Sequence, residues 1–226
     1  MNPKQRAAEA ALKFVSDGMV VGLGTGSTAD QFLVALATAL NVGSIRNIRG
    51  VPTSRQSELR AQQLGIPLAT LAQCPHPDVT IDGADEVAPN LDLIKGLGGA
   101  LLREKIVAQN SAKLIIIADS GKSVTKLGMH SLLPIEVVQF AHETHETFLR
   151  SLGTTPALRR GANGTAFITD NGNFIYDCRF ANGIDKPGEL ERTLKSRAGI
   201  VETGLFLGIA AVAIVADENT VNIQTR

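Results

Sequence analysis

The first 120 residues alternate between amphipathic segments and short runs of apolar residues. Residues 2–16 place apolar side chains at nearly helical spacing, Asp17-Gly18 interrupts the pattern, and the apolar run Met19–Leu23 follows. The same alternation continues, and it predicts further helices at 29–39, 55–64 and 100–110 and further strands at 45–51, 78–81 and 114–118. Because apolar strands that alternate with helices are buried on both faces, we expect a parallel sheet covered by helices.

Turn signals become frequent after Leu133-Pro134. Asp170–Asn173 contains Asn-Gly, the strongest short hairpin signal, and predicts a turn between strands at Ala166–Thr169 and Phe174–Asp177. This pattern is typical of an α+β domain rather than of a continued parallel sheet.

The predicted domain organisation is therefore discontinuous. A small α+β domain at 131–203 is inserted in a main domain formed by residues 1–130 and 204–226. The last strands, predicted at 212–215 and 221–224, return to the main sheet.

Composition excludes several classes of protein. The chain has 226 residues, 22 Lys and Arg against 22 Asp and Glu, eight Phe, one Tyr and no Trp. A nucleic-acid-binding protein needs a positive face for phosphates and usually aromatic platforms for bases, so this composition argues against one. With 44 % apolar and 19 % charged residues, the chain can form a core and is not disordered.

The sequence shows no sign of export or of a membrane span. Residues 1–9 lead into the first helix without an apolar signal-peptide core. The longest apolar stretch, Leu205–Ala216, is too short to cross a hydrocarbon layer of about 30 Å as a helix. Since Cys74 and Cys178 are isolated, we expect reduced thiols and a cytoplasmic protein.

Polar loops follow the predicted parallel strands, at the edge where open parallel sheets bind ligands. Gly24–Thr28 combines glycines, hydroxyl donors and a following helix N-terminus, a composition typical of a phosphate site. The loop lacks the Gly-Lys-Ser/Thr of a Walker A motif, and Ser27 replaces the third Gly of a dinucleotide-binding motif. A tight turn that caps a helix is the alternative interpretation.

Two further loops supply carboxylates and a cation. Asp82–Glu86 places three carboxylates in five residues, and its two Asp side chains are spaced to address one small polar ligand as hydroxyl binders or acid–base groups. Lys95–Gly99 has three glycines after a Lys, and the next helix carries Glu104 near its start. Lys122 follows another strand and is suited to a phosphate.

Simpler alternatives exist for these charges. Clustered carboxylates also suit a divalent metal ion, which is the competing interpretation of Asp82–Glu86. On spacing alone, Glu104 is explained as a charge that complements a helix dipole. His142–Glu146 contains two His three residues apart, whereas the zinc ligands of zincins are four apart, so we predict no zinc site there.

Taken in order, these motifs resemble the type A ribose-5-phosphate isomerases. The resemblance covers essentially the whole chain and rests on Gly22–Thr28, Pro52–Ser54, Asp82–Glu86, Lys95–Lys105, Thr169–Asn173 and Gly204–Phe206. It implies a Rossmann-like α/β domain with a smaller ferredoxin-like α+β domain and a homodimer or homotetramer. It also implies interconversion of ribose 5-phosphate and ribulose 5-phosphate, in the non-oxidative pentose phosphate pathway, without metal or cofactor.

The resemblance further implies roles for individual residues. The phosphate would be bound by Thr25, Gly26, Ser27, Thr28 and Lys122, with Lys4 as an additional contact. The sugar would be surrounded by Asp82, Gly83, Ala84, Asp85, Lys95, Gly96, Leu97 and Gly98, where Leu97 replaces a Gly common in the family. Glu104 would move the proton, Lys95 would stabilise the enediolate, and Asp82 would open the sugar ring, since such an isomerisation needs a base, an oxyanion partner and a ring-opening group.

Three other functions compete with this interpretation of the sequence. A sugar-phosphate sensor in a transcription regulator shares such a fold but normally carries a helix-turn-helix domain, for which the first strand at residue 19 leaves no room. A nicotinamide-dependent oxidoreductase conflicts with the missing third Gly. A metal-assisted isomerase stays open.

Overall fold

Six α-helices and thirteen β-strands form in the computed structural model, which describes all 226 residues. The helices are α1 (Pro3–Ala11), α2 (Ser27–Asn41), α3 (Arg55–Gln63), α4 (Leu101–Asn110), α5 (Thr144–Ser151) and α6 (Pro187–Lys195). The strands are β1 (Val20–Leu23), β2 (Arg49–Pro52), β3 (Val79–Gly83), β4 (Glu86–Val87), β5 (Leu93–Ile94), β6 (Leu114–Asp119), β7 (Leu133–Val137), β8 (Thr155–Leu158), β9 (Phe174–Arg179), β10 (Ile200–Thr203), β11 (Leu205–Phe206), β12 (Ala210–Ala216) and β13 (Val221–Thr225). None of the helices is both long and apolar enough to cross a membrane.

The chain divides into two units. The first comprises Met1–Ala84, Arg103–Ser123 and Gly208–Arg226, and the second comprises Asp85–Leu102 and Val124–Leu207.

The first unit contains a six-stranded sheet in the order β13-β12-β6-β3-β1-β2. All neighbouring strands are parallel except β13, which pairs antiparallel with β12 at one edge. The predicted parallel sheet and the return of the last strands to it are thus confirmed. Leu23, Ile81 and Ile115 point from adjacent strands into a core that helix α2 covers with Phe32. Since β1, β3 and β6 run in the same direction, the loops after them lie at the same edge of the sheet.

The second unit contains a four-stranded antiparallel sheet and a small three-stranded one. The order along the chain is β7-α5-β8-β9-α6-β10, and the order in the sheet is β10-β7-β9-β8. This βαββαβ arrangement is the ferredoxin-like fold that the resemblance implied. The second sheet, β11-β5-β4, is antiparallel as well.

The compact units differ from the predicted domains in what they include. Because β4 and β5 pair with β11, the segment 85–102 belongs to the second unit, which resumes at Val124 instead of at residue 131. The boundaries at 131 and 203 stay a prediction about domains.

The predicted strand at Ala166–Thr169 is wrong. The turn after it forms, since Thr169 N donates to Asn173 O at 2.9 Å. However, β7 and β8 occupy both edges of β9, so no edge is left for a further strand. Instead, the segment folds back on Arg159, and the backbone carbonyl of Arg159 accepts a hydrogen bond from Phe167 N at 2.9 Å.

Candidate functional site

The predicted site residues are divided between the two units. The first unit holds Thr25–Thr28, Asp82–Ala84, Glu104 and Lys122. The second holds Asp85 and Lys95–Gly98.

The glycine loop after β1 ends at an open helix N-terminus. Gly26, the residue before α2, has φ of 104°, a conformation that glycine adopts without strain. No side chain caps this helix, and Gly26 and Ser27 are exposed. Lys4 Nζ donates to Ser27 Oγ at 2.9 Å and brings a positive charge to the same turn. A helix N-terminus with an adjacent cation is suited to an anion such as a phosphate.

Thr25 anchors this loop to the end of β2. Its Oγ1 donates to Ser54 Oγ at 2.8 Å and lies 2.9 Å from Thr53 Oγ1, and Thr53 Oγ1 donates to Leu23 O at 2.9 Å. All three hydroxyl-bearing residues are buried. The Thr25 side chain therefore fixes the loop from inside, whereas Ser27 faces solvent. Sequence reasoning assigned no role to Thr53 or Ser54, although the polar pair after a predicted strand was a usable signal.

Asp82 supports the same loop from β3. Its Oδ1 accepts hydrogen bonds from Thr25 N at 3.0 Å and from Gly83 N at 2.7 Å, and the side chain is 1 % exposed. The backbone of Gly24 passes so close that a Cβ there would lie 2.3 Å from this oxygen. Glycine is therefore required at position 24, and Asp82 has a positioning role whatever else it does.

Two further charged residues of the first unit lie at element ends. Glu104 is in the first turn of α4 and is only 3 % exposed. Lys122 ends the short 3₁₀ helix after β6 and is half-buried. Asp119 caps that helix, because its Oδ1 accepts from Gly121 N at 3.1 Å.

A cavity of about 280 Å³ lies beside the glycine loop in the first unit. Its lining includes Gly24–Gly26, together with Asp30 of α2 and Arg60 of α3, which form an ion pair of 2.6 Å. Ligand pockets span about 300–1,000 Å³, so this cavity lies just below the small end of that range.

The second glycine loop, Lys95–Gly99, is held by hydrogen bonds at both ends. Lys95 N donates to Gly204 O and Gly99 N donates to Gly96 O, both at 2.9 Å. Lys95 itself is buried, with Nζ 5.4 Å from the centre of the Phe206 ring. Asp85 is brought to this loop, because its Oδ2 accepts from Leu97 N at 2.9 Å.

Glu86, the third carboxylate of the acidic loop, has a structural function. It is fully buried and accepts hydrogen bonds from Gly128 N at 2.6 Å, His130 N at 2.7 Å and Ser131 N at 2.5 Å. The carboxylate thereby holds the segment 128–131 that precedes β7.

The side chains that a metal ion would need are not grouped. No set of three His, Cys, Asp or Glu residues in the chain could hold one. His142 Nδ1 lies 3.1 Å from the Tyr176 hydroxyl, and His145 Nδ1 accepts from Arg197 Nε at 3.2 Å. The two histidines thus contact different partners.

Comparison with known proteins gives a consistent result. The sequence model of the family described as Ribose 5-phosphate isomerase A (phosphoriboisomerase A) matches residues 49–220. Ribose-5-phosphate isomerase A of Roseiflexus sp. (strain RS-1) is 49 % identical over 213 residues, 94 % of this chain and 91 % of the relative. The protein of the same name from Gloeobacter violaceus is 50 % identical over 223 residues, 98 % of this chain and 95 % of the relative.

Solved structures agree with these relatives. A D-ribose-5-phosphate isomerase in complex with phospho-erythronic acid superposes with a TM-score of 0.95 at 43 % identity, over 99 % of this chain and 97 % of the other. Ribose 5-phosphate isomerase from Plasmodium falciparum gives a TM-score of 0.95 at 40 % identity, with the same coverage.

Proposed function

The chain belongs to the ribose 5-phosphate isomerase A family, and from that premise we propose that Glu104 is the base that transfers the proton between C2 and C1 when the protein interconverts D-ribose 5-phosphate and D-ribulose 5-phosphate. The observation that carries the activity is the match to the family over nearly the whole chain. The observation that supports Glu104 is a carboxylate buried in the first turn of α4, directly after the second glycine loop.

The phosphate is proposed to bind at the first glycine loop. Gly26, Ser27 and Thr28 offer the uncapped N-terminus of α2, and Lys4 adds a charge beside Ser27. Lys122, at the end of β6, is the second cation that we assign to the phosphate. Thr25 contributes by fixing the loop through its buried hydroxyl contacts.

The proton transfer needs one base and one site for negative charge. In the open-chain aldose, Glu104 removes the proton from C2, and the electron pair moves toward the C1 carbonyl oxygen to give an enediolate. The same carboxyl group returns the proton to C1, and the proton of the O2 hydroxyl passes to O1, so that C2 becomes the ketone and O1 the C1 hydroxyl. Lys95 and amides of the second glycine loop are proposed to stabilise the enediolate oxygen.

The remaining carboxylates act on the sugar hydroxyls. Ribose 5-phosphate is largely a closed furanose, so an acid–base group has to open the ring, and we assign this step to Asp82. Asp85, together with Gly83 and Ala84, is assigned to binding hydroxyls. Asp85 is held beside the loop by its hydrogen bond from Leu97 N.

The test is a coupled assay of ribose 5-phosphate isomerisation on Glu104→Gln. Since this substitution keeps the shape and removes the base, kcat should fall by about 10²- to 10⁴-fold. Glu9→Gln, the same change at an exposed residue of α1, is the control and should leave kcat unchanged. A loss smaller than about tenfold in Glu104→Gln would exclude Glu104 as the base.

We also propose that the reaction needs no metal or cofactor. Lysine and backbone amides can stabilise an enediolate, and the chain groups no three metal-ligating side chains. Activity should survive dialysis against EDTA. Loss of activity with EDTA that a divalent ion restores would contradict the proposal. Phospho-erythronic acid, which a relative binds, should compete with ribose 5-phosphate in the same assay.

Self-association as a homodimer or homotetramer in the cytoplasm completes the proposal. Met1, Val34 and Val42 are exposed and line one surface depression of the first unit, and a contiguous apolar patch is typical of a surface that another chain covers. Cys74 and Cys178 are free thiols, as expected in a reducing compartment. Light scattering after gel filtration measures the mass, and a monomer at micromolar concentration would contradict self-association.

A further inference from the structure

Arg159 is a half-buried cation that no part of the proposed chemistry uses. It follows β8, and its guanidinium binds the Asp177 carboxylate of β9 in two places, Nε to Oδ2 at 2.8 Å and Nη2 to Oδ1 at 2.5 Å. The side chains of Arg159 and Asp177 are 12 % and 15 % exposed. The guanidinium also lies 5.7 Å from the centre of the Phe167 ring. Its orientation is thus fixed by a two-point ion pair and an aromatic ring.

The third nitrogen of this guanidinium reaches the second glycine loop. Nη1 donates to Gly96 O at 3.2 Å and to Leu97 O at 3.0 Å. A planar fork can hold a carboxylate on one side and two carbonyls on another, whereas a lysine ammonium cannot. Arg159 therefore determines the orientation of two consecutive peptide groups of the loop.

Because peptide groups are planar, these contacts also determine where the N–H groups of Leu97 and Gly98 point. All peptide bonds of the chain are trans, so each C=O points opposite to the N–H of the next residue. Arg159 holds Gly96 O, and Leu97 N–H accordingly points to the other side, where it meets Asp85 Oδ2 at 2.9 Å. In the next peptide Arg159 holds Leu97 O, so Gly98 N–H points away from the guanidinium. Gly98 is exposed, and its N–H donates to no group of the protein.

We propose that Arg159, oriented by Asp177, is a positioning residue that directs the Gly98 N–H at the substrate oxygen on which negative charge develops. The guanidinium also polarises the Leu97–Gly98 peptide and so makes its N–H a stronger donor. This inference rests on the proposed function, because it names Gly98 as the loop amide that stabilises the enediolate oxygen together with Lys95. Arg159 does not touch the substrate in this role.

The test separates positioning from simple folding support. Arg159→Met keeps much of the side-chain length and removes the fork, and Asp177→Asn removes the charge that orients it. Loss of one oxyanion donor lowers kcat by about 10²- to 10³-fold, and a misdirected donor loses part of that, so we expect kcat to fall about 10- to 100-fold. KM for ribose 5-phosphate should change less than about threefold, because the interaction strengthens only as charge develops.

Arg150→Met is the matched control. Arg150 pairs with Glu146 on α5 in the same unit, at 2.7 Å, but its side chain is 53 % exposed and contacts no glycine loop. Both kcat and KM should stay at the wild-type values. The kcat of the double variant Arg159→Met/Asp177→Asn should be no lower than that of Arg159→Met alone, since both changes remove the same ion pair.

Three results would overturn the inference. These are a kcat of Arg159→Met within twofold of wild type, a raised KM with unchanged kcat, and a fall in kcat that only matches the loss of folded protein in circular dichroism. If Arg159→Met does not fold, the same criteria apply to Asp177→Asn, which retains the side-chain shape. A wild-type protein that fails to isomerise ribose 5-phosphate would refute the proposed function instead, and the two failures are therefore distinguishable.

Discussion

Replacing Glu86 with Gln should destabilise the second unit locally and strongly. The carboxylate is fully buried and accepts three backbone N–H groups, two on Oε1 and one on Oε2. The carboxamide of Gln has one oxygen, which can replace Oε1 opposite His130 N and Ser131 N. Its NH₂ group then faces Gly128 N, so that two donors oppose each other.

The magnitude follows from counting these contacts. Leaving the buried Gly128 N–H unpaired costs about 1–3 kcal/mol, and turning two charge-assisted bonds into neutral ones costs roughly 0.5–1 kcal/mol each. The free energy of unfolding should therefore fall by about 2–5 kcal/mol. At about 2–4 °C per kcal/mol for a chain of this size, Tm should fall by roughly 4–20 °C.

Two measurements check this result. Urea unfolding followed by circular dichroism gives the free energy, and hydrogen exchange should show loss of protection in a peptide covering 128–131. Asp217→Asn is the control: Asp217 also accepts three hydrogen bonds, from Asn219 N and from the N–H and hydroxyl of Thr220, but at the surface. The reasoning is refuted if Glu86→Gln is no more destabilising than Asp217→Asn and exchange at 128–131 is unchanged.

Four further outcomes are expected. Thr53→Val removes a buried hydroxyl with two contacts and should lower the free energy of unfolding in urea by about 1–2 kcal/mol. Thr38→Val, on the exposed face of α2, should lower it by less than about 0.5 kcal/mol. Equal losses in the two variants would contradict the hydroxyl network. Lys122→Ala should chiefly raise KM for ribose 5-phosphate in steady-state kinetics, and an unchanged KM would count against a phosphate contact. Burial raises the pKa of the Cys178 thiol from 9.0 to about 12, so iodoacetamide at pH 8 should label it only in urea, and stability should decline as the pH rises from 9 toward 12. Burial, followed by nearby positive charge, lowers the pKa of His145 from 6.5, so the free energy of unfolding should decrease as the pH falls below 6.5, and His145→Gln should weaken that dependence.

The sequence predicted the main sheet well, because its strands are apolar on both faces and its helices are amphipathic. The all-apolar run Leu114–Ala118 indicated a buried strand, and it forms β6 together with Asp119. The glycines of the first loop were equally informative. Gly26 has a positive φ, and Gly24 lies in close contact with Asp82. These two constraints explain why both positions need glycine.

The sequence was less informative where function depends on contacts between distant positions. Glu86 lies next to Asp85 in an acidic run, and nothing local distinguishes a carboxylate that binds three N–H groups from one that could face a ligand. Arg159 stands beside Arg160 with no motif around it, yet only Arg159 reaches a loop 62 residues away in the chain. The strand predicted at Ala166–Thr169 failed for the same reason, since the available edges of β9 are set by pairing with remote segments.

The close approach of Gly24 to Asp82 also constrains how this protein can evolve. A Cβ at position 24 would lie 2.3 Å from Asp82 Oδ1 and 2.6 Å from the Cα of the same residue, so a smaller side chain at position 82 would not make room for it. Asp82 in turn accepts hydrogen bonds from Thr25 N and Gly83 N, and a replacement would remove the acceptor that orders the loop. Selection for a foldable glycine loop would therefore preserve the acid even in a descendant that had lost the isomerase reaction.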